Sequence, residues 1–490
     1  MKPIVTLSLI SHTNVGKTTL ARTLLKRDIG EVVDREHVTD ASESHTLIET
    51  GDAALRLWDT PGFGDTARLL RRLRHERDPL GWFLHRVWDR IADRPMWCSQ
   101  EAVRNVRDEA DVVLYLVNAA EEPGDAGYVP LELELLSWMR RPVLVLLNQA
   151  GRDGAASIER WRAATATREV VRDVLSLDAF ARCWTEEGLL LQRIEELLEG
   201  TAREAMRGLR EAWIRQNLDR FRQSCASMAG YIGRAALDRE RPGRSPGAGD
   251  RGTLARMRDA VTLKTVDRRR AASALARRLD TATRGWMDRL IELHGLEGAS
   301  AAKIERGLLD LEVRNGGTPL DEKSGALLGG AISGALGGLA ADALAGGLTL
   351  GGGLIAGGIL GALGGAALGR GFRWLEGDRE PTVGWSAAFL DRLCRQAALR
   401  YLAVAHFGRG RGEFRDLEQP AHWRDAVDEE LRRSQSELHG IWDEAGGGAS
   451  EGRIVSRLEP PLTRAVRRVL VREHPNAASL FEESPPLSRP

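Results

Sequence analysis

Short apolar runs and amphipathic stretches alternate through the first 200 residues. Ile4–Ile10, Ala54–Trp58, Val112–Val117 and Val143–Leu147 are continuous enough to read as strands buried on both faces. Thr18–Lys26, Leu131–Arg140, Ser157–Val171 and Glu186–Leu198 carry helical spacing between and after them. This alternation predicts an α/β domain over residues 1–200 with a doubly wound sheet. From 201 to 323 the strand pattern gives way to helical periodicity with many Arg/Glu pairs, broken by a predicted loop at Arg239–Gly252. Residues 324–369 form a Gly/Ala/Leu tract whose one charge is Asp342, predicted to be a helical hairpin. Residues 370–490 return to charged, Trp-bearing helical sequence and end in a Pro-rich tail.

Composition adds exclusions. The 490 residues carry 70 basic and 70 acidic side chains, so bulk positive charge does not hold this chain to nucleic acid, and a nucleic-acid partner is disfavoured. Cys98, Cys183, Cys225 and Cys394 lie far apart with no CxxC pair. Their spacing predicts a reducing compartment, with neither a disulfide framework nor a zinc site. The N-terminal apolar run is too short for the core of a signal peptide, so a cytoplasmic start is expected.

The strongest local signal is Ser11-His12-Thr13-Asn14-Val15-Gly16-Lys17-Thr18, between a predicted strand and a predicted helix. It matches the phosphate-loop pattern GxxxxGK[ST] except that Ser11 replaces the first glycine. Backbone N–H groups from Asn14 through Thr19 would curl around a β-phosphate at the helix N-terminus. Lys17 is assigned to the β- and γ-phosphates and Thr18 to Mg²⁺. Few of the basic residues are lysines, which gives Lys17 further weight.

Asp59-Thr60-Pro61-Gly62 follows the strand ALRLW, so its carboxylate emerges at the sheet's carboxyl edge. Asp59 is assigned to the Mg²⁺ shell and the Gly62 N–H to the γ-phosphate. Thr39 is the expected switch threonine closing over Mg²⁺, with Thr46 in reserve. Lys17 and Thr39 are thus the catalytic candidates, and Thr18, Thr39 and Asp59 the Mg²⁺ set.

NVGKT, HVTD and DTPG together resemble the Era/TrmE group of translation-factor-type GTPases, over roughly the first 200 residues. The resemblance implies GTP and GDP as ligands, and a K⁺ site at Asn14. It also places Phe63 where Ras-like proteins carry a water-positioning glutamine, which implies slow intrinsic hydrolysis aided by a cation, a partner or dimerisation. At the guanine motif NKxD, Asn148 matches while Gly151 lacks the carboxylate, with Asp153 two residues later. Guanine over adenine therefore rests on the resemblance. Arg68, Arg71, Arg72 and Arg74, with Trp82, Trp88 and Trp97, offer either an internal arginine finger or, favoured here, a solvated arginine face over a Trp-packed insertion.

In the Gly/Ala/Leu tract, Gly330, Gly334 and Gly338 repeat every four residues, as do Gly353, Gly357, Gly361, Gly365 and Gly369. On helices each series makes a groove for close backbone approach. Gly325–Ala341 and Ala343–Gly369 are uncharged and approach the length that spans a bilayer, about 20 residues. A hairpin at the inner membrane is placed narrowly ahead of a soluble hairpin packed on itself or on a second subunit, because glycine and alanine are weakly apolar and Asp342 is costly at depth. The order of a DTPG-type GTPase, LDAFARCW (177–184), the glycine tract and AHFGRGRGE (405–413) resembles a bacterial GTPase family with a C-terminal domain of unknown function.

The sequence thus predicts a cytoplasm-facing, Mg²⁺-dependent GTPase switch carrying a membrane-associated glycine hairpin, with a homodimer or another protein as partner. A soluble ribosome- or RNA-associated GTPase and a binding-only nucleotide switch are the alternatives.

Overall fold

The computed structural model describes residues 2–13, 15–25, 42–64, 66–74, 78–85, 93–149, 154–177, 183–241, 253–296, 372–375, 382–407 and 421–482. Asn14, Thr39, Trp88, Gly151, Asp153 and the whole 324–369 tract lie outside them. The chain divides into two compact units. The first comprises Met1–Asp219, Ala405–Gly412 and His474–Pro490, and the second Arg220–Val404 and Glu413–Glu473.

The first unit is built on a six-stranded sheet. Its strands are β1 (Ile4–Ser11), β2 (Glu43–Glu49), β3 (Ala54–Asp59), β4 (Val112–Asn118), β5 (Val143–Asn148) and β6 (Val171–Ser176), in the order β2-β3-β1-β4-β5-β6. All neighbours run parallel except β2, which pairs antiparallel with β3 at the edge. Strands β1, β4 and β5 are almost wholly buried, as their mainly apolar composition requires. Around the sheet lie α1 (Lys17–Leu25), α2 (Thr66–Leu73), α3 (Pro79–His85), α4 (Arg94–Asp108), α5 (Val129–Ser137), α6 (Gly154–Thr165) and α7 (Trp184–Leu197). The order in which strands are added reverses at β1, with β3 on one side and β4 on the other, which puts the switch point of the sheet at the carboxyl end of β1.

Two sequence expectations need correction here, and one strand was not foreseen. The helix predicted over Ser157–Val171 stops at Thr165, because Val171 already begins β6. Strand β2, ESHTLIE, is polar and half exposed, so it shows no buried-strand signature. Thr46 lies inside β2, opposite Arg56, which removes it as a reserve switch residue.

The first unit is completed from the far end of the sequence. Leu480, in the short helix Ala477–Glu482, sits so close to Gly188 of α7 that a Cβ there would lie 2.8 Å from a Leu480 methyl. Phe481 packs edge-on against Trp184 at 5.5 Å.

The second unit is mostly helical. It takes the later part of α8 (Gly200–Leu237), then α9 (Thr253–Leu293), α10 (Ala387–Ala405, to Val404), α11 (Ala421–Arg433), α12 (Gln435–Gly446) and α13 (Glu451–Glu473). The helix Ala477–Glu482 is α14. Tyr231 of α8 stacks on Trp286 of α9 at 4.9 Å and donates to or accepts from Thr283 at 2.8 Å. A three-stranded antiparallel sheet, β7 (Arg239–Glu240), β9 (Thr382–Trp385) and β8 (Phe372–Leu375), was not foreseen, since those stretches read as loop and helix. Among the described residues no helix is long and apolar enough to cross a membrane.

Candidate nucleotide site

The switch point gathers the ends of β1 and β3. Ser11 closes β1, and α1 starts at Lys17, so the intervening loop spans the mouth of the sheet. Gly16 has φ +97°, a conformation that costs an L-residue about 1–2 kcal/mol. A Cβ on Gly16 would also lie 3.0 Å from the Asn148 amide. That amide, fully buried at the end of β5, donates to the Val15 carbonyl at 2.9 Å and ties β5 to the loop.

Lys17 is buried and donates to Ser11 Oγ at 3.1 Å. Burial lowers its pKa, while the carboxylates of Asp59 and Glu132 act the other way. Ser11, at the position of the missing glycine, thus gives the lysine a hydroxyl acceptor. Thr19 and Val15 are buried beside it.

Asp59 ends β3 and is almost fully buried. Its Oδ2 accepts the Thr18 hydroxyl at 2.9 Å, whereas its Oδ1 is buried with no hydrogen-bond partner. Burial pushes this carboxyl above its ordinary range, against the pull of Lys17 and Thr18. A buried carboxylate oxygen without a partner, next to a threonine hydroxyl, fits a hard divalent cation that takes oxygen ligands. Thr18 and Asp59 are the described residues that would hold Mg²⁺.

The DTPG turn is drawn tightly over the loop. Thr60 Oγ1 donates to the Leu9 carbonyl at 2.7 Å, and the Phe63 N–H to the Ser11 carbonyl at 2.9 Å. At Gly62 a Cβ would meet Lys17 Nζ and the Thr13 backbone, both at 3.1 Å, so a side chain there would press the loop and the lysine aside by a few tenths of an ångström. The Phe63 ring turns away into the core and is fully buried among residues that include Ile10, Leu69 and Val117.

A polar network beneath the loop was missed by sequence reasoning. His12 Nδ1 lies 2.7 Å from Glu132 Oε1, and its ring stacks on Tyr128 at 4.3 Å. Thr66 Oγ1 also approaches Oε1, at 3.4 Å, while the other oxygen of Glu132 accepts Tyr115 OH at 2.7 Å. Glu132 is wholly buried, and burial raises its pKa against the pull of His12. The one available signal was an acid on the leucine-rich face of VPLELELLS. The arginines near this site are engaged elsewhere: Arg68 pairs with Asp93 at 3.2 Å and Arg74 with Glu134 at 2.6 Å.

The structure therefore brings Val15, Gly16, Lys17, Thr18, Thr19, Asp59, Gly62 and Asn148 to one edge of the sheet. Asn14 and Thr39 lie outside the described residues.

Residues 6–149 match the family described as "50S ribosome-binding GTPase". With the strand order above, this identifies a P-loop GTPase domain, a class that in general binds GTP and GDP, hydrolyses GTP and uses Mg²⁺. Among solved structures, an Era variant from Aquifex aeolicus bound to GDP and AlF₄⁻ is 18% identical, covering 41% of this chain and 58% of that one, with a TM-score of 0.30. Era in complex with MgGDPNP and a segment of 16S ribosomal RNA is 17% identical, covering 41% and 59%, with a TM-score of 0.30. The G domain of FeoB from Methanococcus jannaschii is 20% identical, covering 36% and 88%, with a TM-score of 0.21. At TM-scores this low the matches add no weight beyond the strand order and the family match. The chain spans under two thirds of the length of either Era chain. No curated protein matches. Residues 165–455 match a second family, and since that stretch is more than half of the 490 residues, the chain belongs to the family described as "Domain of unknown function (DUF3482)", here preceded by a P-loop GTPase domain.

Proposed function

We propose that the protein is a GTP switch of the Era/TrmE type, with slow intrinsic hydrolysis, that associates with membranes through its glycine tract. Asp59 carries the nucleotide part of this reading: its Thr18-bonded Oδ2 and unpartnered Oδ1 lie beside a buried Lys17 at a sheet switch point. Lys17 neutralises charge at the β- and γ-phosphates, and the loop amides of Asn14, Val15, Gly16, Thr18 and Thr19 bind their oxygens. Thr18, Asp59 and Thr39 would hold Mg²⁺, which when bound would offset the negative charge of the phosphates. Gly62 offers its N–H to the γ-phosphate, Asn148 holds the loop against the base strand, and Asn14 supplies a K⁺ ligand.

Slow turnover is supported by Phe63, whose ring is sealed in the core and leaves that position without a group to orient water. Membrane association is supported by the two uncharged stretches Gly325–Ala341 and Ala343–Gly369. The switch occupies 1–200, followed by helical residues 201–323, the tract 324–369 and a C-terminal helical region 370–490.

The deciding measurement is nucleotide binding by full-length wild type and Lys17→Ala. Wild type should bind Mg²⁺–GTP in preference to ATP, and the variant should lose at least about 100-fold in affinity; unchanged binding would remove the phosphate-loop assignment. Single-turnover hydrolysis with K⁺ and with Na⁺ separates a slow enzyme from a binding-only switch. Fractionation of protein with and without residues 324–369 tests the membrane part, which fails if the intact protein stays wholly in the supernatant.

A further inference from the structure

The first unit contains a second cluster of chemistry-bearing side chains, remote in sequence from the phosphate loop. Cys183 is the residue just before α7, His406 follows α10, and His474 follows α13. Each is the first residue beyond a helix end, or the last before one, so each is fixed by a rigid element. Cys183 and His406 also fall in the two segments, LDAFARCW and AHFGRGRGE, that nucleotide chemistry leaves unexplained.

We propose that Cys183, His406 and His474 bind a zinc ion. Their ligand atoms all lie within 4.8 Å of one another. His406 Nε2 and His474 Nε2 face each other at 3.0 Å, with the rings stacked at 5.2 Å and 20°. In a tetrahedral zinc site, Zn–N of about 2.0–2.1 Å and Zn–S of about 2.3 Å put neighbouring ligand atoms roughly 3.3–3.7 Å apart. The triangle needs only a small adjustment to accept the ion.

Three further observations support a metal site. Cys183 and His406 are buried, while the His474 side chain is 18% exposed, giving an ion a way in. His474 turns Nε2 into the cluster and Nδ1 toward Glu186 Oε1 at 3.6 Å, the orientation in which a carboxylate supports a metal-bound imidazole. The hydroxyl of Thr185 lies 2.8 Å from the Cys183 sulfur and can donate to it.

One sulfur and two imidazole nitrogens exclude Mg²⁺ and Ca²⁺, which take oxygen ligands, and suit Zn²⁺. Three protein ligands leave a tetrahedral ion one position for water or another group. This cluster also overturns the expectation that the cysteines predict no zinc site: the ligands converge in space from separations no local motif records.

The test uses full-length protein stripped with a chelator and titrated with Zn²⁺ against a chromophoric competitor, and separately with Co²⁺. Wild type should bind one Zn²⁺ per chain, and Co²⁺ should produce tetrahedral d–d bands with a thiolate-to-cobalt charge-transfer band. Cys183→Ser and His474→Ala should each weaken Zn²⁺ binding at least about 100-fold, and Glu186→Gln about 10-fold. Cys394→Ser should bind as wild type does. No stoichiometric zinc, or a Co²⁺ spectrum without the thiolate band, would overturn the proposal even if the variants fail to fold. So would undiminished binding by folded Cys183→Ser.

Discussion

The phosphate loop and the Cys183–His406–His474 cluster belong to the same compact unit but are assembled in opposite ways. The loop is contiguous: it joins Ser11 at the end of β1 to Lys17 at the start of α1, and its outside partners are Asp59 at the end of the neighbouring β3, Gly62 just beyond it and Asn148 at the end of β5. The cluster draws one residue from each of three segments spread over the chain, two of them beyond residue 400. Contiguous sites advertise themselves because backbone geometry dictates residue spacing. Sites assembled by tertiary packing leave no spacing to read.

The strongest way to break this comparison is to disable one site and read the other. Lys17→Ala should abolish measurable GTP binding while Zn²⁺ binding stays within about twofold of wild type, measured by competitive titration of both ligands. Zinc loss in that variant would mean the two sites are one system.

Next in size is Gly62→Ala, whose Cβ would crowd Lys17 Nζ and the Thr13 backbone at 3.1 Å. GTP affinity should fall roughly tenfold or more, whereas Gly51→Ala, with open space around it, should bind normally. Gly16→Ala meets both an unfavourable φ and the Asn148 amide. It should cost about 1–2 kcal/mol or more in urea unfolding. Asn148→Ala strands the buried Val15 carbonyl and should cost about 1–3 kcal/mol.

A smaller effect is expected from Glu132. Because burial raises its pKa above the ordinary 4.5 in the folded state, the stability tied to its protonated form is complete below that value and is lost as pH rises through the raised one. Glu132→Gln should flatten that part of the pH–stability curve, followed by urea midpoints from acid to neutral pH. The smallest expected effect is at Cys225, whose thiol burial pushes up to about 12. It should resist alkylation at neutral pH in the native protein and react only on unfolding.

Much of the first unit was legible. Strands β1, β4 and β5 are mainly apolar because both faces are covered, and the carboxylate of Asp59 lies at the end of its strand, where the sequence put it. What stayed hidden shares one cause. Strand β2 is an exposed edge with polar residues, Tyr115 and Glu132 are polar groups inside apolar segments, and β8 pairs with β9 by contacts local composition does not encode. Each depends on a partner distant in sequence. Arginines 68 and 74 make the same point in reverse, since Asp93 and Glu134 occupy side chains that composition alone leaves available.

The packing of Leu480 and Phe481 onto Gly188 and Trp184 bears on the order in which the protein is made. The unit that holds the phosphate loop begins at the first residue, yet it includes Ala405–Gly412 and His474–Pro490. During synthesis its first 219 residues emerge with the Gly188–Trp184 surface of α7 uncovered, and several hundred more must be translated before that surface is closed. The α7 surface at Gly188 and Trp184 is therefore closed only after Leu480 and Phe481 have been made.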